Sequence, residues 1–109
     1  MTEEALSNMV VLQAKAGMER NVAGALTRLT GAFREAEGCL QYDCFQSFEN
    51  PGRFMLVMQW RDEASLALHL ASEGLRELFE SLAGAWLEDF SREDYRAFSR
   101  GIRDLVGED

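Results

Sequence analysis

An α+β domain, with a four-stranded antiparallel sheet and helices on one of its faces, is the fold class this sequence predicts. Three observations predict it. Apolar patterning switches between period two and period 3.6 in the order strand, helix, strand, strand, helix, helix, strand. The only proline sits in Glu49-Asn50-Pro51-Gly52, a turn that joins the second and third strands as a hairpin. The run Phe54-Met55-Leu56-Val57-Met58-Gln59-Trp60 is apolar on both of its sides, so both faces of the sheet ask for cover. Both crossovers are expected to place helices on one face of the sheet, a ferredoxin-like plan whose second crossover helix is split in two.

Each element has a local reason. Residues 9 to 15 (MVVLQAK) begin apolar and β-branched and read as the first strand. Ala16-Gly17 turns the chain. Val22, Leu26, Leu29 and Phe33 then recur at spacings of four, three and four, one face of a helix running to about Ala36 and stopped by Gly38. Residues 39 to 48 (CLQYDCFQSF) alternate as a second strand, with Leu40, Tyr42 and Cys44 on one face and Gln41 and Asp43 on the other. In the turn, Pro51 pre-sets its own φ and Gly52 is expected to take the positive φ of a type II turn. The third strand runs from Arg53 to Trp60. Asp62 is placed to cap the next helix, and Glu63 adds favourable charge to its first turn. Leu66, His69 and Leu70 share a face of that helix, which Ser72-Glu73-Gly74 breaks. A third helix is expected to carry Leu75, Leu78, Phe79, Leu82, Trp86 and Phe90 as one stripe. Tyr95 to Phe98 read as a short fourth strand, and the tail GIRDLVGED is left without an element.

The 109 residues make one domain, with a core over about residues 8–98 and acidic ends at 1–7 and 99–109. A net charge of −8 repels phosphate backbones, and Arg92, Arg96, Arg100 and Arg103 alternate with acids, so nucleic acid is not an expected partner. No apolar stretch approaches the ~20 residues of a membrane span. The start, MTEEALSN, lacks the basic-then-apolar pattern of a secretion signal, so a cytoplasmic protein is expected. Cys39 and Cys44 are expected on opposite sides of an extended segment, unable to bridge, and no further cysteine completes a metal set. Gly24, Gly31 and Gly38 lack the strand-to-helix context of a phosphate loop.

Phe54, Leu56, Met58 and Trp60 lie on one side of the third strand, and Met55 and Val57 on the other. Helices cover the first side. Each fully buried large side chain contributes roughly 1.5–3 kcal/mol, so leaving Met55, Val57 and their neighbours wet forfeits several such terms. A second copy of the chain is the expected cover, as a two-fold homodimer with sheets facing. The other candidate, the tail, is short and charged.

The segments EGCLQYDCF, NPGRFMLVMQW and EASLALHLAS resemble the antibiotic biosynthesis monooxygenase family of dimeric α/β barrels, over about residues 8 to 98. The shared tokens are Gly38-Cys39-Leu40-x-Tyr42, Pro51-Gly52-Arg53-Phe54, Trp60 at a strand end, Ala64, Leu66, and His69 before Leu70-Ala71-Ser72. The family includes cofactor-independent oxygenases of quinols and polyketide aromatics. It also includes haem-degrading enzymes and a group that processes a small signalling sugar derivative.

The resemblance implies a pocket between sheet and helices and oxygenation of a small aromatic or quinol-type substrate. In it, His69 would assist proton transfer, Trp60 and Tyr42 would hold the ring, and Phe54, Leu56, Met58 and Phe79 would line the space. No metal, flavin or haem is expected. Trp60 also reads as a large core residue, and His69 as a structural histidine bonded to a neighbour. Two departures bear on activity: many relatives carry an acid where Met58 stands and a second histidine where Gly74 stands. The haem-degrading branch fits worse, with Val10 aligned to its strand-one asparagine and Phe79 to its iron-ligating histidine. The rival reading is a non-catalytic ligand-binding or assembly module.

Overall fold

The computed structural model describes residues 5–82 and 86–96. In chain order the elements are β1 (Leu6–Ala14), α1 (Glu19–Phe33), β2 (Cys39–Gln46), β3 (Arg53–Trp60), α2 (Glu63–Leu70), α3 (Glu73–Leu82) and β4 (Leu87–Arg96). The strands form one sheet in the order β2-β3-β1-β4, with every neighbouring pair antiparallel. This is the ferredoxin-like α+β architecture that the periodicities predict.

The core lies between one sheet face and the helices. Val10, Leu12 and Ala14 of β1 and Phe54, Leu56, Met58 and Trp60 of β3 are buried on that face. Val22, Ala25, Leu26 and Phe33 of α1 and Leu75, Leu78 and Leu82 of α3 close over them. On the opposite face Met9, Val11, Met55 and Val57 are only half-buried, and Phe45 is 48% exposed. Among the described residues no helix packs there.

Five expectations about the fold need correction. The stripe read as one long third helix is two elements: α3 ends at Leu82, Trp86 lies in a turn and Phe90 belongs to β4. The fourth strand is therefore earlier and longer than Tyr95–Phe98, and Phe98 lies outside the described residues, as does the tail. LEDFSREDYR has little β-propensity of its own; pairing along the length of β1, from Leu6 with Arg96 to Ala14 with Leu87, overrides it. Gly52 does not have positive φ; among the described residues only Gly17 and Gly38 do. The end of β1 approaches it closely instead. A Cβ there would lie 2.9 Å from Gln13 Nε2, and its carbonyl accepts from Ala14 N–H at 2.7 Å.

Leu40 does not share a face with Tyr42. Cys39 pairs with Trp60 and Gln41 with Gln59, so Leu40 is the extra residue of a β-bulge and is 57% exposed. The bulge also brings Cys39 and Cys44 to the same face rather than opposite ones, both against the core and both free thiols.

Candidate functional site

A cavity of about 570 Å³ opens between the sheet and helices α2 and α3. β1 contributes Asn8, Val10 and Leu12 to its wall, β2 Tyr42, and β3 Leu56 and Met58. From the helical side come Leu66, His69, Leu70, Leu75, Leu78, Phe79 and Leu82, while Phe90 and Arg92 of β4 complete the rim. Most of this surface is apolar, the setting that suits a small flat ligand with few polar contacts.

Sheet register decides which side chains meet there. Tyr42 pairs with Met58, Met58 with Asn8, and Asn8 with Asp94, so the four form one row across all four strands. His69 reaches the row from above. Its helix starts at Asp62, whose carboxylate accepts from Ser65 N–H at 2.8 Å. That backbone donor and the adjacent serine hold Asp62 below the usual carboxylate range. The helix start lies tight against Gly38, where a Cβ would come within 2.0 Å of Ser65 Oγ, and Gly38 has φ +81°. At the other end Ser72 Oγ donates to His69 O at 2.7 Å and accepts from Leu75 N–H, which stops α2 and starts α3. The depth and direction of His69 are thus set at both ends of a two-turn helix.

Tyr42 OH lies 3.1 Å from His69 Nε2, and both side chains are buried. Three aromatic rings enclose the imidazole. Trp60 stacks on it at 4.7 Å and 28°, Phe33 meets it edge-on at 4.9 Å, and Tyr42 edge-on at 5.3 Å. Desolvation by these rings pulls His69 down to about 4. Burial also lifts Tyr42 well above the ordinary tyrosine value, with smaller contributions from Cys44 and Cys39. At neutral pH both groups are uncharged. One imidazole tautomer accepts the phenol proton at Nε2; the other donates Nε2–H to the phenol oxygen. The pair can therefore pass a proton to or from a ligand hydroxyl at the wall.

A second polar group was not legible in the sequence. Asn8, only 2% exposed, donates from Nδ2 to Asp94 Oδ1, and Asp94 is held by the Arg92 guanidinium at 3.0 and 2.8 Å. Arg92 first, and Asn8 after it, keep the Asp94 carboxyl below its ordinary value. Asn8 Oδ1 has no hydrogen-bond partner among the described residues. A polar residue just ahead of an apolar run reads as the fringe of a strand, whereas β1 starts two residues before it.

Of the residues singled out from sequence, His69, Tyr42, Leu56, Met58 and Phe79 come together on the cavity wall. Trp60 and Phe54 do not reach it. Trp60 is wholly buried behind His69 with its Nε1 unpartnered among the described residues, and Phe54 lies in the core. Phe33, read as one residue of a helix face, is part of the aromatic enclosure. Gly74 abuts it: a Cβ at Gly74 would stand 2.9 Å from Phe33 Cε1. Among the described residues no group of three or more His, Cys, Asp or Glu side chains is placed to hold a metal. No described helix is long and apolar enough to cross a membrane.

Comparison with known proteins agrees with this fold. Solved structures share the fold closely. A Pseudomonas aeruginosa protein superimposes with a TM-score of 0.84 at 24% identity, covering 91% of this chain and 99% of its own. A Deinococcus radiodurans protein, described as a candidate antibiotic biosynthesis monooxygenase, gives 0.83 at 23%, covering 89% and 96%. Another structure, described as an antibiotic biosynthesis monooxygenase, gives 0.79 at 26%, covering 86% and 99%. No curated protein matches the sequence. The profile of one family, antibiotic biosynthesis monooxygenase, matches residues 5–81, the span from β1 almost to the end of α3 that supplies most of the cavity wall. The chain belongs to the antibiotic biosynthesis monooxygenase family.

Proposed function

We propose that this protein is a monooxygenase that uses O2 to oxygenate a small aromatic or quinol-type substrate, with no metal, flavin or haem. The observation that carries the proposal is the buried Tyr42–His69 pair, 3.1 Å apart, on the wall of a largely apolar cavity. An apolar wall favours an uncharged ring and O2 alike, and the pair offers a proton acceptor where a ring hydroxyl would lie. The substrate supplies every electron. For a hydroquinone, loss of the hydroxyl proton gives an electron-rich anion, which transfers an electron to O2 and recombines with the product at a ring carbon. Loss of water then leaves a hydroxyquinone. One oxygen atom enters the ring, the other leaves as water, and hydroquinone plus O2 balances hydroxyquinone plus H2O.

The proton step sets the demand on His69. An imidazole near 4 facing a phenol near 10 is mismatched by about 8 kcal/mol, at ~1.36 kcal/mol per unit. The phenolate formed at that moment is the counter-charge for an imidazolium, and their attraction in an apolar site offsets part of that mismatch.

The test is oxygen uptake with a panel of reduced quinones and dihydroxynaphthalenes. Wild type is expected to exceed the buffer rate, and His69→Ala to fall at least about tenfold, the loss of one general acid–base group. Equal uptake by both proteins removes His69 from the reaction. Uptake by neither favours the second reading, a ligand-binding module, to which the apolar Met58, the bare Gly74 and the weakly basic imidazole lend support.

The proposed unit is a homodimer closed through the half-buried face of Met9, Val11, Met55 and Val57. The free thiols of Cys39 and Cys44 suit the reducing cytoplasm.

A further inference from the structure

We infer that Asn8 is a substrate-recognition residue that accepts a hydrogen bond from a second donor on the ligand, so that the cavity selects the reduced, two-hydroxyl form over the oxidised one. The inference rests on the quinol reading above and deepens it.

Asn8 lines the cavity, is 2% exposed, and leaves its Oδ1 without a partner among the described residues. The direction of its amide is not arbitrary. A carboxylate can only accept, so the Asp94 side chain fixes Nδ2 on its own side and leaves Oδ1 as the free atom. Asp94 is itself clamped by two bonds from Arg92. A buried carbonyl oxygen left without a donor costs about 1–3 kcal/mol. A ligand that brings a donor recovers that cost; one that brings an acceptor does not.

Placement makes the second contact compatible with the first. Tyr42, Met58 and Asn8 stand side by side on adjacent strands, so Tyr42 and Asn8 are roughly 10 Å apart at the backbone, two strand spacings. A flat ring lying over Met58 meets the Tyr42–His69 pair on one side and Asn8 on the other. The matching group is a neutral donor rather than an acid. Arg92 is engaged by Asp94, and Arg76, the other guanidinium of the wall, by Glu73 and Glu80 at 2.6 and 2.9 Å.

Oxidation reverses the match. A hydroquinone presents O–H to Asn8 Oδ1; the quinone formed from it presents C=O, so acceptor then faces acceptor. Asn8 thus holds the substrate and loosens the product.

The test is calorimetric binding under anaerobic conditions, which needs no turnover. The probes are 1,4-dihydroxynaphthalene, 4-methoxy-1-naphthol and 1,4-naphthoquinone. Wild type is expected to bind the diol about tenfold more tightly than either of the others, the effect of one buried acceptor left unpaired. Asn8→Leu, which removes the buried orphan atom, is expected to bind diol and monoether alike. Asp94→Asn, which frees the amide to turn over, is expected to lose the preference with Asn8 still present. A tenfold preference that survives Asn8→Leu overturns the inference, as does wild type that binds all three probes equally; the latter needs no variant to fold. Oxygen uptake without any Asn8-dependent preference would leave oxygenation standing and remove Asn8. An Asn8-dependent preference without oxygen uptake would keep Asn8 and remove oxygenation.

Discussion

His69 is the only histidine of the chain, and its burial among Trp60, Phe33 and Tyr42 ties protonation to folding. Its native value near 4 lies below the 6.5 of an unhindered imidazole. Above pH 6.5 neither the native nor the unfolded chain is protonated there, and the full contribution to stability is present. As pH falls below 6.5 the unfolded chain takes up a proton that the native one refuses, so stability falls until about pH 4. The loss amounts to roughly 3 kcal/mol in all. Urea unfolding between pH 5 and 6.5, above the range of most carboxylates, is expected to show this slope in wild type and not in His69→Leu. Equal slopes would mean that the imidazole is hydrated in the native state. Tyr42→Phe removes the partner of Nε2 and is expected to destabilise the fold by about 1–2 kcal/mol, read from the same unfolding curves. His69 and Tyr42 were legible because each is a polar ring in an apolar pattern. Asn8 was not: its role comes from Asp94 and Arg92, some 80 residues along the chain, and only strand register brings them to it.

At the scale of elements, α2 is short and depends on its ends. Gly38 combines a positive φ with a position where a Cβ would overlap Ser65. Gly38→Ala is therefore expected to cost about 1–3 kcal/mol and to displace the start of α2. A lower urea midpoint together with a shifted His69 imidazole resonance would confirm it; an unchanged resonance would show that α2 tolerates the push. Gly17, which also has positive φ, has open space around it, so substitution there carries the backbone penalty without the overlap. Strong local signals marked β3, α1 and the Asp62 cap. β4 carried none. Its helix-like spacing from Leu82 through Trp86 to Phe90 runs across the end of α3, and strand geometry arises only from the neighbouring β1 ladder. Propensity and period are local quantities, and this edge strand is decided by a distant partner.

For the whole molecule, the two sheet faces differ in kind. One is covered by α1, α2 and α3; the other, among the described residues, leaves Met9, Val11, Met55 and Val57 half-buried and Phe45 half-exposed. The proposed homodimer is expected to sediment at twice the 12.3 kDa of one chain. Val57→Lys, at the centre of that face, is expected to shift the population to single chains at micromolar concentration, since an unpaired ammonium there is poorly tolerated. A wild-type monomer under the same conditions would remove the face as an interface. The two-sided apolar pattern of β3 announced such a face, but the sequence carries no comparable mark of the bulge at Leu40. That one extra residue settles a question of parity. Counted strictly by alternation from Cys39, Tyr42 belongs outside; because Leu40 steps out of the count, the phenol turns inward to His69. The Tyr42–His69 contact is in this sense a matter of odd and even. Excision of Leu40 would keep that parity, with Cys39 and Tyr42 still on the core face, whereas drawing Leu40 into the ladder would aim the tyrosine at solvent with no residue changed.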